Sequence, residues 1–275
     1  TGKGYVPAGV IPEYLGFKSS DHQAIKKKNS LMKKLVNRRP LVKTTTKNPI
    51  CEGDAAFSKV ALFFMRDLLR NIIVDESGTS IQTEVSGSLM LSPLPNNKYI
   101  IDINLLNGVL NGNNKNVAFP VESHFNYHTH PLDSYVYFKT HKGWPSDKDY
   151  KVIMKNFLTP YGRQIYFSCI STIEGIYVIS FNIELLRSNI SEREIEKIID
   201  KYYKKSKRVN SFKVENIQYF NKDIQKYLQD LNKIPENKRL FKVQLLSWHS
   251  LLTKNKPIFF KFKYPKTKGS CQLNN

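Results

Sequence analysis

The sequence predicts a layered α/β or α+β fold, in which a central group of strands lies between helices that precede and follow it. Three observations lead to this class. Segments of alternating polar and apolar residues fill the middle of the chain, an amphipathic segment comes before them, and helical patterns return beyond residue 190. Hydrophobic residues make up 40% of the 275 residues, which is enough for a sizeable core.

The first half of the chain is predicted to place helices before strands. Helical potential is present over 22–37, inside an irregular basic stretch. Apolar residues three or four positions apart predict a helix over 54–73, with Asp54 as its cap. Alternation then predicts strands over 80–91, 98–106, 116–121 and 123–130.

A helix and a β-hairpin are predicted next. The segment "PSDKDYKVIMKNFL" (145–158) has the pattern of a helix with Ser146 at its N-cap. The segments "RQIYFSCIST" and "GIYVISFNI" are rich in β-branched and aromatic residues and flank the turn at Glu174 and Gly175. They are therefore expected to pair.

Helical patterns dominate the C-terminal region. Ser191 and Glu194 form a capping box ahead of an apolar face, which predicts a helix there. A second helix is predicted over 221–234, with Pro235 to end it. Two further segments are expected to add strands or to dock as an extended arm, 240–248 and 258–265.

The cysteines and the hydropathy suggest a compartment. Cys51, Cys169 and Cys271 are far apart and form no CxxC motif, so we expect neither a disulfide framework nor a cysteine-rich zinc site. Cys169 is expected to be a buried small hydrophobe. No secretory signal or membrane span of about 20 apolar residues is visible. An intracellular, reducing compartment is expected, either cytoplasm or nucleus, with a virion as a further option.

The net charge of +20 is concentrated at the two ends of the chain. Residues 1–50 hold eleven Lys and Arg against two acids, and the tail from Lys254 holds six Lys and no acid. Arms of this kind attract nucleic acid, anionic membrane surfaces or acidic proteins, although they can also be simply solvated. The tail segment "IFFKFKYPKTK" fits either base stacking or an edge strand with one buried face.

The segment "FNYHTHPLD" (125–133) contains the residues most typical of a metal site. On a strand, His128 and His130 project from the same side and can chelate one ion, although two strand histidines can also face solvent or bond backbone groups. Asp149 follows Ser146 by three residues, in the first turn of the predicted helix. Two imidazoles and one carboxylate make a three-ligand zinc site with one open position for water. Alternative third ligands are Asp133 and His141.

Together, "HTHP" and the later "PSDKD" resemble the motif of the JAMM (MPN+) zinc metalloproteases, and "TEVSGSLML" (83–91) resembles the glutamate strand of that family. The resemblance covers about residues 55–185. It implies a central mixed β-sheet flanked by helices, with basic N- and C-terminal extensions outside the family domain. It also implies Zn²⁺ as cofactor and hydrolysis of isopeptide or peptide bonds, with ubiquitin-like conjugates as the substrate class. The site residues that it implies are the zinc ligands His128, His130 and Asp149, the general base Glu84 and the oxyanion-supporting Ser146.

One part of the sequence departs from the family motif. The stretch 131–145 between the second histidine and the serine has fifteen residues. That is about eight more than is usual in the family, an excess that chain entropy tolerates because closure cost grows slowly with length. The longer stretch is expected to influence substrate access, and it weakens the assignment of Asp149, for which Asp147 is the natural control. Glu122 is the alternative to Glu84 as general base.

Three parts of the chain are predicted on this basis: a basic N-terminal arm (1–53), a JAMM/MPN-like metalloprotease domain (54–188) and a helical C-terminal extension with a basic aromatic tail (189–275). The competing hypothesis is a structural or assembly subunit on a JAMM-like scaffold, for example in a virion or another large complex. Its basic arms would bind neighbouring proteins or nucleic acid. Nucleic-acid binding from charge alone is the third hypothesis.

Overall fold

The computed structural model describes residues 50–70, 72–74, 80–112, 125–131, 143–158, 166–187, 190–203, 217–254, 256–265 and 271. Within these ranges the chain forms ten strands, of which eight belong to one sheet. The strands are β1 (Ile50–Phe57), β2 (Ile72–Val74), β3 (Ser80–Gln82), β4 (Val85–Leu94), β5 (Lys98–Asn111), β6 (Phe125–Thr129), β7 (Phe167–Ser171), β8 (Gly175–Phe181), β9 (Phe241–Ser247) and β10 (Phe260–Pro265).

Helices flank the sheet. They are α1 (Lys59–Asp67), α2 (Asp147–Leu158), α3 (Ile183–Arg187), α4 (Glu192–Ile198), α5 (Ile217–Asn232) and α6 (Trp248–Thr253). Helix α4 continues into a π-helical turn over Ile199–Tyr203. Two 3₁₀ turns cover Leu68–Arg70 and Glu236–Lys238. Among the described residues, no helix is long and apolar enough to cross a membrane.

The large sheet is mixed, and its strand order is β10-β1-β5-β4-β6-β7-β8-β9. The pairs β1–β5 and β6–β7 are parallel, whereas the other neighbours are antiparallel. Within the part of the chain that the structure describes, β2 and β3 pair as a separate two-stranded sheet. The mixed α/β class expected from the sequence is therefore confirmed.

Two apolar clusters lie on opposite faces of this sheet. Consecutive residues of β7 and β8 alternate between them: Cys169 belongs to one cluster and Ile170 to the other. Because successive side chains of a strand point to opposite faces, each cluster fills the space on one side. Residues of α1 and α6 complete the first cluster, whereas residues of α2, α4 and α5 complete the second.

The predicted helix over 54–73 begins too early. Residues up to Phe57 form β1, which pairs with β5 on one side and β10 on the other. Ser58, not Asp54, caps α1, since its side chain accepts the Ala61 N–H at 3.0 Å. The helix ends at Asp67 and gives way to a 3₁₀ turn. Long-range pairing on both edges of β1 overrides the helical spacing that the sequence shows there.

The other predicted elements that the structure describes agree with the sequence except in their bounds, whereas β2, α3 and α6 have no counterpart in the prediction. The strand predicted over 80–91 is divided into β3 and β4, and β5 is longer than expected. The predicted hairpin is confirmed as β7–β8, and both C-terminal segments add strands, β9 and β10, at opposite edges of the sheet. The segments 22–37 and 116–121, and almost all of the basic arm, lie outside the described residues.

The expectation for the cysteines is wrong in part. Cys51 of β1 and Cys271 form a disulfide, with Cα atoms 5.6 Å apart and 220 positions apart in the sequence. Cys169 is free and buried, as expected. Structural disulfides persist mainly in oxidising environments, so this pair removes the argument for a reducing compartment. The compartment itself stays a prediction.

Candidate metal centre

Strand β6 lies in the interior of the sheet and carries His128, and His130 follows directly after it. It pairs with β4 on one side and β7 on the other, so its backbone is held along both edges. His128 lies within the strand, and His130 follows its end, where its N–H donates to Ser171 O at 2.9 Å. The i, i+2 spacing therefore aims both imidazoles at the same face, towards the start of α2.

The N-terminus of α2 holds the carboxylate. The Ser146 Oγ accepts the Asp149 N–H at 3.3 Å, and Ser146 O accepts the Tyr150 N–H at 3.2 Å, which begins the helix. In return, the N–H and the hydroxyl of Ser146 donate to Asp149 Oδ2 at 2.6 and 2.7 Å. This reciprocal cap fixes the Asp149 side chain in one orientation.

Three potential ligands converge at this point. His128 Nε2 lies 3.3 Å from His130 Nε2 and 3.4 Å from Asp149 Oδ1. His130 Nε2 lies 3.6 Å from Asp149 Oδ2. The side chain of His128 is 2% exposed, whereas His130 and Asp149 are 15% and 18% exposed. The cluster is thus buried on its strand side and open to solvent at its rim.

The tautomer of His130 suits a ligand. Its Nδ1 lies 2.8 Å from the carbonyl oxygen of Gly143. Because a carbonyl oxygen only accepts hydrogen bonds, Nδ1 carries a proton, which leaves Nε2 as the nitrogen that can bind a metal ion once it gives up its own proton. Metal-binding histidines are commonly oriented by such a contact at their second nitrogen.

The charges of His130 and Asp149 shift each other's pKa values. Burial opposes the charged form of His130, but Asp149 and Glu84 outweigh it and raise the pKa of His130 to about 9. Burial would also raise the pKa of Asp149, yet His130 and hydrogen bonds from both histidines hold it well below its ordinary range. Burial lowers the pKa of His128 despite its contact with Asp149. Because its pKa is low, Asp149 is ionised at neutral pH and can offer a carboxylate oxygen to a metal ion.

Glu84 lies beside the cluster. Ser86 pairs with His128 in the antiparallel β4–β6 register, so continuing the register by two residues places Glu84 across from His130. The backbone is fixed on either side, because Gly112 N–H donates to Glu84 O at 2.8 Å and Val85 N–H donates to Thr129 Oγ1 at 2.9 Å. Burial and the charge of Asp149 raise the pKa of Glu84 to about 7, against the lowering effect of His130 and Lys148.

The structure brings together the residues singled out in the sequence. His128, His130 and Asp149 form the potential metal-binding group among the described residues, and Asp147, two positions earlier, does not belong to it. The alternatives Glu122, Asp133 and His141 lie outside the described residues. Sequence reasoning missed Gly143, because a backbone carbonyl leaves no signature in a residue pattern.

The donor set fits a metal ion. Each of the three residues offers one ligand atom, and all three atoms lie within 4.8 Å of one another. Two imidazole nitrogens and a carboxylate oxygen are typical ligands of transition-metal ions such as zinc. No protein-family model, curated protein or solved structure matches this chain, and its function is therefore inferred from this geometry and from the order of the motif residues.

Proposed function

We propose that this chain is a zinc-dependent metalloprotease of the JAMM type, which hydrolyses isopeptide or peptide bonds. The observation that supports it best is the convergence of His128, His130 and Asp149 beside Glu84. These residues occur in the order E…HxHP…PSxxD, which is far more specific than any one part. A chance pair of strand histidines would require neither the capped aspartate nor the nearby glutamate.

His128, His130 and Asp149 would hold the zinc ion. Zinc bound by three protein ligands leaves one coordination position open, where it lowers the pKa of a water molecule and polarises the carbonyl that is attacked. The protein's own contribution is to arrange the ligands in advance. The Ser146 cap holds the carboxylate, and the Gly143 carbonyl holds His130.

Glu84 would act as the general base. Burial raises the pKa of Glu84 to about 7 in the metal-free chain, and a carboxylate in this position could take up a proton from water and return a proton to the leaving amine. It is partly buried and lies near His130 and Asp149, in electrostatic contact with both. It need not bind the metal for this role.

Ser146 would have two roles, orienting Asp149 and contacting the oxyanion. Its contacts with Asp149 support a role in orienting that ligand. The resemblance to the JAMM family adds an oxyanion contact from the hydroxyl, for which a donor near the open metal position is needed. Ubiquitin-like conjugates enter as substrates through that resemblance alone.

The test is metal analysis combined with a hydrolysis assay. Protein purified without chelator or affinity metal should contain about one zinc per chain, and the His128→Ala/His130→Ala variant should contain none. Glu84→Gln should keep the zinc and lose about 10²- to 10⁴-fold in the hydrolysis of an isopeptide-linked substrate.

Two results would count against this proposal. Unchanged hydrolysis by Glu84→Gln would remove Glu84 from its role. A wild-type protein without zinc, and unable to take it up, would favour the structural-subunit hypothesis, in which the basic ends of the chain provide the binding surfaces.

A further inference from the structure

The turn between β7 and β8 contacts the residue that orients His130. Glu174 Oε1 accepts a hydrogen bond from the Gly143 N–H at 2.8 Å, and Tyr177 donates its hydroxyl to the same oxygen at 3.3 Å. The carbonyl oxygen of Gly143 lies 2.8 Å from His130 Nδ1. One backbone residue therefore connects the Glu174 carboxylate to the imidazole.

The turn that carries Glu174 is held from several sides. Thr172 and Gly175 exchange backbone hydrogen bonds of 2.9 and 3.3 Å across it. The Trp248 indole donates to Thr172 O at 2.7 Å, and the Trp248 N–H approaches Glu174 O at 3.4 Å. Strands β7 and β8 continue from the turn into the sheet. Glu174 therefore projects from a fixed base.

Gly143 needs an anchor of this kind. Glycine has no side chain that can pack, and its backbone loses more conformational freedom on ordering than that of any other residue. The residue also stands near the end of the fifteen-residue stretch between His130 and Ser146. A hydrogen bond to its N–H opposes that freedom at the place where its carbonyl must meet His130.

We propose that Glu174 is a positioning residue of the metal centre, which holds Gly143 so that its carbonyl oxygen orients His130. The inference rests on the metal site of the proposed function and adds a residue that belongs to none of its motifs. Removing a group that orients a metal-binding histidine typically weakens metal binding 10- to 100-fold. Gln keeps a side-chain oxygen that can accept the Gly143 N–H, whereas Ala does not.

The first measurement is metal affinity, from competition of zinc and of cobalt with a chromophoric chelator. Glu174→Ala should bind both ions about 10- to 100-fold more weakly than the wild type, and Glu174→Gln should remain within about threefold. Glu236→Ala, at an exposed glutamate in a 3₁₀ turn, is the matched control and should bind as the wild type does. If Glu174→Ala fails to fold, Glu174→Asp, which shortens the side chain by one methylene, provides the same comparison.

The second measurement needs no metal. In metal-free protein labelled with ¹⁵N-histidine, the Nδ1–H proton of His130 should be protected from exchange in the wild type and in Glu174→Gln, and lost in Glu174→Ala. A general loss of stability would not distinguish Gln from Ala in this way. Retention of the signal, or unchanged metal affinity, in Glu174→Ala would overturn the inference. If the wild type binds neither ion, the proposed function fails, and the imidazole signal alone decides whether Glu174 holds His130.

Discussion

At the scale of single residues, the candidate metal centre depends on side chains that their hydrogen bonds hold in one orientation. Asp149 supplies the carboxylate, and its oxygens are 3.4 and 3.6 Å from the two histidine nitrogens. Its neighbour Asp147 lies in the same first turn of α2 but outside the ligand group. Two positions along a helix turn the side chain by about 200°, so the choice between these acids is decided by helix geometry.

Asp149→Asn should weaken zinc binding by about 10- to 100-fold or more, because an amide oxygen is a poorer ligand than a carboxylate oxygen and carries no charge. Asp147→Asn changes the same charge in the same turn and should leave the affinity unchanged. Competition titration with a chelator measures both variants. Equal losses in the two would show that net charge, and not coordination, accounts for the effect.

Gly175 lies at a position where the backbone conformation favours glycine. Its φ is +152°, and a Cβ built there would lie 2.2 Å from Leu246 O, which is backbone and cannot move aside cheaply. Gly175→Ala should therefore lower the free energy of unfolding by about 1–3 kcal/mol. Urea unfolding measures the change, with the exposed Ser92→Ala as reference. Wild-type stability in Gly175→Ala would mean that the hairpin can shift without cost.

At the scale of elements, helix α5 from the C-terminal region supports the segment that carries the candidate ligand Asp149. The Trp144 and Tyr227 rings stack at 4.7 Å with an interplanar angle of 5°. The Tyr227 hydroxyl lies 2.6 Å from the Tyr150 hydroxyl and donates to Pro145 O at 3.4 Å. These contacts hold the start of α2 against α5 within the apolar cluster that both helices share on one face of the sheet, so α5 supports the segment that carries Asp149.

Tyr227→Phe keeps the ring and removes the hydroxyl. Because the Tyr150 hydroxyl is then left buried with one partner fewer, we expect a loss of about 1–2 kcal/mol in the free energy of unfolding. Tyr202→Phe, at a half-buried tyrosine of the π-helical turn, is the matched control and should change it by less than about 0.5 kcal/mol. Chemical denaturation measures the free energy of unfolding of both variants. Equal losses in the two would contradict the hydrogen bonds assigned to the Tyr227 hydroxyl.

At the scale of the whole molecule, the C-terminal region closes the fold. It supplies β9 and β10 at opposite edges of the sheet, and Cys271 is bonded to Cys51 of β1. The Tyr264 hydroxyl of β10 donates to Cys271 O as well. Residues near the two ends of the described chain are therefore joined both by strand pairing and by a covalent bond.

The disulfide should contribute measurably to stability. A cross-link that spans 220 positions removes much entropy from the unfolded chain, and about 2–4 kcal/mol is the typical gain. Reductant should lower the free energy of unfolding of the wild type by this amount. Cys271→Ser should show the lower value already and should not respond to reductant. A response of that variant to reductant would point to another disulfide.

Features encoded by neighbouring residues could be predicted from the sequence. Ser146 and Ser191 cap the helices that they were expected to cap, and the β7–β8 hairpin forms around the predicted turn. Caps and turns satisfy backbone groups within a few residues, so local chemistry determines them. The i, i+2 spacing of His128 and His130 likewise follows from strand geometry alone.

Tertiary structure decided whatever joins distant parts of the chain. Residues 50–57 form a strand because they pair with β5 and β10. The Cys51–Cys271 bond forms because the two cysteines meet near the same edge of the sheet. His130 contacts Gly143 because the chain returns to the site thirteen residues later. Each of these depends on which segments become neighbours, and loop closure and core packing decide that together. The sequence by itself determined which candidate ligand residues are present and in what order, and folding brought two histidines, an aspartate and a glutamate to one site.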